Sequence, residues 1–391
     1  MVGPRHLEPC RVAKKSAQGN LLVEEKCFAL GMGKEAREKT AQSNLEGKDK
    51  IAFASAVFEA LRLPKQDANL VARCLVEADL RGQSGHGIQR LPMYARRLRA
   101  GVVNPTPMVQ LEQSFPSACR VNGDDGMGFV VATQATKEAI RIAQDQGLGL
   151  AGVRRSTHFG CSAHYVLQAL EHDMLSLVFT NSSPALPPFG GARALLGASP
   201  FAAGAPANLA HPLVLDMSTT VIARGKLRLM AQRGEPIPPE VGLDQQGRPT
   251  RDGMEAFHGV TLPFGGAKGA AIALLMDLLS GLFTGAAFGG RVRSLYNDVA
   301  GVQDVGHFIL CMRPDLFLES TEALKERMDE LVAILKSQPC AEGVTEVLMP
   351  GEPESRCAAE RERTGVPLQA DVVTSLCAEA EQMGLEFPSP A

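Results

Sequence analysis

The stretch Ser156-Thr157-His158-Phe159-Gly160-Cys161-Ser162, together with Thr180-Asn181-Ser182-Ser183-Pro184 further on, decides how this chain folds. Each piece closes a short apolar run, residues 148–153 and 175–179, that reads as a buried strand. Residues 162–172 between them have the length of a helix. The pattern is a strand–helix–strand unit of an α/β protein, where ligands gather beyond the strand C-termini. His158 lies just past the first strand, and Asn181 and Ser182 lie just past the second. Three loops follow: Pro188-Phe189-Gly190-Gly191, Leu196-Gly197-Ala198-Ser199-Pro200 and Leu215-Asp216-Met217-Ser218-Thr219-Thr220. Their small side chains let a ligand approach backbone N–H groups closely.

Upstream, residues 50–63 and 66–80 have helical periodicity, separated by Pro64. Next comes Arg81-Gly82-Gln83-Ser84-Gly85-His86-Gly87-Ile88-Gln89-Arg90-Leu91-Pro92-Met93-Tyr94. His86, Arg90 and Tyr94 are spaced i, i+4, so one helix would carry all three on one face. That reads as an anion and proton-transfer site; a solvated basic helix extended by Arg96, Arg97 and Arg99 is the competing reading. Residues 130–146 form a helix stopped by Gly147. Gly147-Leu148-Gly149-Leu150-Ala151-Gly152 has the letters of the dinucleotide fingerprint, but it follows a helix and is itself strand-like, which excludes that motif. His158, Cys161 and His164 could be read as metal ligands, but no fourth ligand stands nearby, so no metal is expected.

Downstream, Lys268 sits in the Gly-rich turn 262–269, where it could meet phosphate or a carbonyl oxygen. Residues 269–285 are apolar, interrupted by Asp277 and short for a membrane span, so a buried core helix is expected. Residues 320–337 form an amphipathic helix with Leu324, Met328, Leu331 and Leu335 on one face, and residues 371–383 a last helix closed by Gly384.

A chain of 391 residues can hold two domains, and 45% hydrophobic with 21% charged residues is ordinary for a globular protein. A net charge of −3 gives no electrostatic reason to expect nucleic acid or an anionic membrane as partner. Nine cysteines without a C-x-x-C pair fit a reducing compartment, so a cytoplasmic location is expected. Residues 1–49 lack any sustained period and read as an extension outside the folded body. Arg5, Arg11, Lys14 and Lys15 suggest a targeting segment instead, an idea weakened by Glu8, Glu24 and Glu25.

From about residue 50 to about 365 the sequence resembles the malate/L-lactate dehydrogenase family with a non-Rossmann fold. The segments that carry the resemblance are His86–Tyr94, Ser156–Gly160, Thr180-Asn181, Gly190-Gly191, Leu215-Asp216-Met217-Ser218, Ala223-Arg224-Gly225-Lys226 and Gly265-Gly266-Ala267-Lys268-Gly269. It implies an α/β protein whose mixed sheet, flanked by helices, binds NAD or NADP without the usual fingerprint. It also implies a discontinuous second domain from the N- and C-terminal segments: residues 50–120 and 290–391 around a cofactor domain at 121–289. Members are usually homodimers that act on small carboxylates. Carried over by motif, His158 and His86 are the acid/base candidates, Arg90 holds the substrate carboxylate and Tyr94 lines its pocket. Ser182, Asp216, Met217, Ser218 and Lys268 are expected to contact the cofactor.

These residue types suit hydride exchange at a 2-hydroxy acid. A histidine takes or gives the hydroxyl proton near neutral pH, and an arginine grips a carboxylate with two parallel hydrogen bonds. Three departures from the family pattern bear on the chemistry. Gly85 stands where a Ser commonly precedes the first His, which favours His158 as the acid/base. Ala198 lacks the hydroxyl of the usual Thr, and Lys226 stands where cyclic-imine reductases tend to carry an acid. The expected activity is NAD(P)-dependent interconversion of a 2-hydroxy acid and a 2-oxo acid of malate, lactate or sulfolactate type. The alternatives are a cyclic 2-carboxy imine (Δ1-piperideine- or pyrroline-2-carboxylate) reductase using NADPH and a cofactor-binding pseudoenzyme.

Overall fold

The structure is a computed structural model and describes residues 43–208, 211–296 and 298–388. The expected extension falls mostly on residues 1–42, which lie outside the described residues. Its last part does not stand apart. Strand β1 (Ser43–Leu45) pairs antiparallel with the segment Val366–Leu368, and helix α1 starts at Gly47 and runs to Ala60. Residues 43–49 therefore belong to the folded body. Strand pairing uses backbone groups and needs no apolar period, so residue pattern alone does not reveal it. Deleting residues 1–49 rather than 1–42 removes that pairing. It is expected to lower Tm by about 2–4 °C, the effect of ~1 kcal/mol in a chain of some size, measured by thermal melting of the two truncations.

Helix α2 (Lys65–Leu80) packs on α1, and α3 (Leu91–Arg99) follows. Leu75, Ile88 and Leu91 share one core with Leu368 and Leu376 from the other end of the chain. Strands β2 (Gln110–Phe115) and β3 (Ala118–Asn122) form a hairpin, and α4 (Gly128–Gln146) runs up to a left-handed Gly147. Then come β4 (Leu148–Ser156), α5 (Ala163–Leu170), β5 (Leu175–Thr180), β6 (Phe201–Ala205) and β7 (Leu213–Met217). Farther along are α6 (Ala267–Asp277), β8 (Val305–Met312), α7 (Thr321–Lys336), α8 (Glu352–Thr364), β9 (Val366–Leu368) and α9 (Ala370–Met383).

The seven-stranded sheet has the order β2-β3-β4-β8-β5-β6-β7. Only β3 and β4 pair in parallel; every other neighbouring pair is antiparallel. The strand–helix–strand unit is present, but its two strands are not neighbours, because β8 is inserted between β4 and β5, antiparallel to both. At the mouth of that insertion the register shifts between Val305 and His307. Asn181 pins the irregularity: its Oδ1 accepts Gly306 N–H at 3.0 Å, and its own N–H donates to Gly306 O. A Cβ at Gly306 would lie 1.7 Å from Ser280 O, so only glycine fits there.

Two apolar segments are corrected by the structure. Residues 269–285 do not form a buried core helix. Ala273 and Met276 are buried, but Leu274, Leu275, Leu278, Leu282 and Phe283 are exposed. The run is apolar on every face, and the described residues cover only one of them. In α7 the packed stripe includes Met328 and Val332, whereas Leu331 is exposed. No helix among the described residues is long and apolar enough to cross a membrane.

Candidate active site

His158 is held from several sides. Arg155 adopts a left-handed backbone (φ 50°), and its N–H donates to Asp304 Oδ1 at 2.8 Å. Gly128 N–H, opening α4, donates to Thr157 Oγ1 at 2.8 Å. A Cβ at Gly128 would meet Thr157 O at 2.1 Å, so glycine lets the helix end come this close. His158 N–H donates to Gln303 Oε1 at 3.3 Å. The next side chain, Phe159, stacks on His307 at 4.4 Å between ring centroids. His307 shares hydrogen bonds of 2.8 Å with Ser156 Oγ through Nε2 and with Thr180 Oγ1 through Nδ1. Burial pushes it down to about 3. It is a neutral spacer tying β4 to β5, not a proton carrier.

His86, Arg90 and Tyr94 do meet His158, but not by sharing one helix. Two short 3₁₀ turns, Ser84–His86 and Ile88–Arg90, are joined through an extended Gly87, and α3 begins only at Leu91. The fold of that turn lays the His86 ring parallel to the His158 ring, 3° between planes and 5.8 Å between centroids. Tyr94, buried in the first turns of α3, reaches His158 Nδ1 with its hydroxyl at 2.7 Å. Gly160 N lies 3.3 Å from the same Nδ1. With Nδ1 engaged, Nε2 is the nitrogen left for a reacting group. Arg90 donates from Nε to Gly85 O and from Nη1 to Tyr296 Oη, both at 2.6 Å, and lies over the Tyr296 ring at 5.1 Å.

Electrostatics keep this cluster neutral apart from Arg90. Burial first, and the Arg90 charge second, push His86 down to about 4. Burial, then Arg90, His86 and His307, hold His158 well below the ordinary histidine range. Burial drives the Tyr94 hydroxyl upward, so it stays protonated. Motif reading missed Tyr296. A signal was available in composition: the chain has three tyrosines, and the third, Tyr165, donates to Phe159 O at 2.7 Å.

The other expected residues gather along a second edge. Asp216, at the end of β7, accepts Ala163 N–H at 2.9 Å, which ties it to the helix after His158. Burial pushes its carboxyl up to about 6. Met217 pairs with Phe201, and Ser218 Oγ lies 2.8 Å from Thr220 Oγ1. Ser182 Oγ accepts Ser199 N–H at 3.4 Å, and Thr219 N–H donates to Ala198 O at 2.9 Å. Phe264 N–H donates to Thr219 O at 3.1 Å, which draws in the turn before Lys268. Lys268 itself is exposed on the first turn of α6.

A cavity of about 330 Å³ opens beside Asp216, lined also by Arg81, Gln83, Pro350 and Gly351. Of its lining, Arg81 Nε is buried without a hydrogen-bond partner among the described residues. An unpaired buried guanidinium donor beside a cavity fits a ligand rich in acceptors, as a dinucleotide is.

His158, Cys161 and His164 do not converge as a ligand set. His164 Nδ1 meets Glu77 Oε2 at 2.6 Å, and its Nε2 meets Cys74 Sγ at 3.1 Å. Against the burial that opposes it, Cys74 and Glu77 push His164 up to about 10. Among the described residues no group of three or more His, Cys, Asp or Glu could hold a metal.

The profile of the malate/L-lactate dehydrogenase family matches residues 47–377. The chain belongs to that family. Among curated relatives, malate/(S)-sulfolactate dehydrogenase of Methanothermus fervidus is 34% identical over 85% of this chain and 95% of its own length. The (2R)-3-sulfolactate dehydrogenase (NADP(+)) of Chromohalobacter salexigens is 36% identical over 71% of this chain and 84% of its own. Among solved structures, sulfolactate dehydrogenase from Methanocaldococcus jannaschii superposes with a TM-score of 0.83 at 33% identity, covering 88% of this chain and 98% of that one. Within the family, relatives are named for NADP(+) and for NAD(+). The mixed seven-stranded sheet is the fold that this chain shares with that dehydrogenase.

Proposed function

We propose that this dehydrogenase exchanges hydride between NAD(P) and C2 of a small 2-hydroxy or 2-oxo acid of malate, lactate or sulfolactate type. The family match and the dehydrogenase names of its relatives make it an NAD(P)-dependent enzyme acting on hydroxy-acid CH–OH groups. The observation that carries the finer reading is the meeting of Tyr94, His158 and His86 next to Arg90. When bound, the nicotinamide gives or takes the hydride.

The chain's own residues do the rest. Arg90 grips the substrate carboxylate and so fixes C2. His158 exchanges the hydroxyl proton at Nε2 in the tautomer whose Nδ1–H donates to Tyr94 Oη, which leaves Nε2 its lone pair for the proton taken during oxidation. His158 is neutral at neutral pH, ready to accept a proton during oxidation. In the opposite direction, a carboxylate on Arg90 cancels one of the charges that depress His158, which lets the ring carry the proton it must give. Ser182, Asp216, Met217 and Ser218 hold the cofactor, with Lys268 on its phosphates. Arg81 adds an unpaired Nε to that cleft.

The exposed apolar stretch of α6 and the turn after it, with Leu274, Leu275, Leu278, Leu282 and Phe283, supports a homodimer in which a second copy covers that surface.

The test is a panel of oxaloacetate, pyruvate, 3-sulfopyruvate and Δ1-piperideine-2-carboxylate, each with NADH and NADPH, followed by nicotinamide absorbance. Turnover of a 2-oxo acid is expected. Turnover of the imine alone would place the chain with the cyclic-imine reductases, and cofactor binding without any turnover would make it a pseudoenzyme. Tyr94→Phe is expected to lower kcat about tenfold, since it removes one hydrogen bond to a ring that gains charge. Cofactor Kd, read by nicotinamide fluorescence, should stay unchanged.

A further inference from the structure

The turn that carries His86 and Arg90 rests on a single buried carboxylate. Asp79, 1% exposed in the last turn of α2, accepts Ile88 N–H on Oδ2 at 3.0 Å. Gly87 lies so close that a Cβ there would meet Asp79 Oδ1 at 1.8 Å. Gly87 has φ −84°, which any residue adopts, so the need for glycine comes from Asp79 and not from the backbone. The two residues joining the 3₁₀ turns are thus seated on one side chain, with His86 immediately before them and Arg90 shortly after.

A carboxylate at a helix C-terminus is unfavourable there by itself. Two cations from distant parts of the chain act on it: Lys50 in α1, which is fully buried, and Arg361 in α8. Lys50 Nζ also donates to Val366 O at 3.3 Å in β9, and Arg361 Nη1 donates to the Asp79 carbonyl. None of this network touches the reacting groups, and packing alone does not call for a charged group at this place. Burying a charge in such a spot costs stability that only its ion partners and hydrogen bonds offset.

We infer that Asp79 is a positioning residue: its ionised carboxylate holds the Gly87–Ile88 junction and thereby sets Arg90 for the substrate carboxylate. The inference rests on the reading of Arg90 given above. Burial pushes Asp79 up to about 6, against the Ile88 N–H, Lys50 and Arg361, which favour its charged form. As pH falls through that value the carboxylate takes a proton, and the charge-assisted bond to Ile88 weakens. Substrate KM should therefore rise below about pH 6 while kcat at saturation holds. His86, at about 4, and His158, also depressed, titrate outside this window. Asp216 also titrates near 6, but it lies on the cofactor edge, so its protonation is read in cofactor Kd and not in substrate KM.

The experiment measures substrate KM, kcat and cofactor Kd against pH for the full chain, Asp79→Asn and Gly87→Ala. The probe is whichever of oxaloacetate, pyruvate or 3-sulfopyruvate turns over. Asp79→Asn keeps an acceptor but loses the charge; its KM above pH 7 should rise about tenfold, and its acid limb should flatten. Gly87→Ala, which forces the junction off the carboxylate, should raise KM similarly with cofactor Kd unchanged. A wild-type KM that is flat through pH 6, or an Asp79→Asn KM equal to wild type, overturns the inference. If Asp79→Asn does not fold, the wild-type profile and Gly87→Ala decide. If Arg90→Lys itself leaves KM and kcat/KM unchanged, it is the reading of Arg90 that fails.

Discussion

His158→Asn is expected to lower kcat by about 10²–10⁴-fold, the range for loss of a general acid/base. Asparagine keeps similar size and polarity and can still meet the Tyr94 hydroxyl, so the site should stay folded. What it lacks is a nitrogen that changes protonation. Cofactor affinity should survive, because the Asp216 edge is built from β7 and its loops and not from this ring. The neighbouring His86 supplies the control. It lies parallel to His158, but the Tyr94 hydroxyl and Gly160 N–H meet Nδ1 of His158 and not its ring. His86→Asn is expected to weaken substrate binding while keeping the pH–rate limb of the acid/base. Steady-state kinetics of both variants across pH distinguish the two histidines. Loss of the limb in His86→Asn and its retention in His158→Asn would assign the proton to the other ring.

Arg90→Lys should reduce kcat/KM by roughly 10²-fold, on the order of 3 kcal/mol. Lysine keeps the charge but loses the planar fork. In the structure that fork is already oriented: Nε is held by Gly85 O, Nη1 by Tyr296 Oη, and the plane lies over the Tyr296 ring. A lysine ammonium cannot satisfy both partners and a carboxylate in that geometry. Lysine keeps the positive charge that is the second cause of the His158 depression, so the acid/base value should move little. Cofactor Kd should move little. Equal losses in cofactor and substrate binding would take Arg90 out of the substrate pocket.

Strong local patterns were legible in the sequence. The runs at 148–153 and 175–179 became β4 and β5, and Gly147 stopped α4 in a left-handed conformation as its position predicts. His158 could be placed past a strand end because strand and loop composition differ sharply there. Long-range pairing was not legible. Nothing in the residues of β8 says that it inserts between β4 and β5, because antiparallel neighbours are chosen by tertiary contact and not by local propensity. The i, i+4 spacing of His86, Arg90 and Tyr94 suggested one helix, whereas Gly87 breaks it and Asp79 folds the turn back. Tyr296 comes from a segment without periodicity, more than two hundred positions from Arg90. The apolar run at 269–285 misled in the other direction, since composition cannot tell a side covered within the chain from one left open.

The most direct test of the central claim follows the hydride itself. The full chain is incubated with a 2-oxo acid and nicotinamide cofactor deuterated at the transferable position, and the product is analysed by mass spectrometry and proton NMR. The account predicts a 2-hydroxy acid carrying one deuterium at C2, formed with either NADH or NADPH. A hydroxy acid without deuterium at C2, or reduction confined to the cyclic imine, would contradict it.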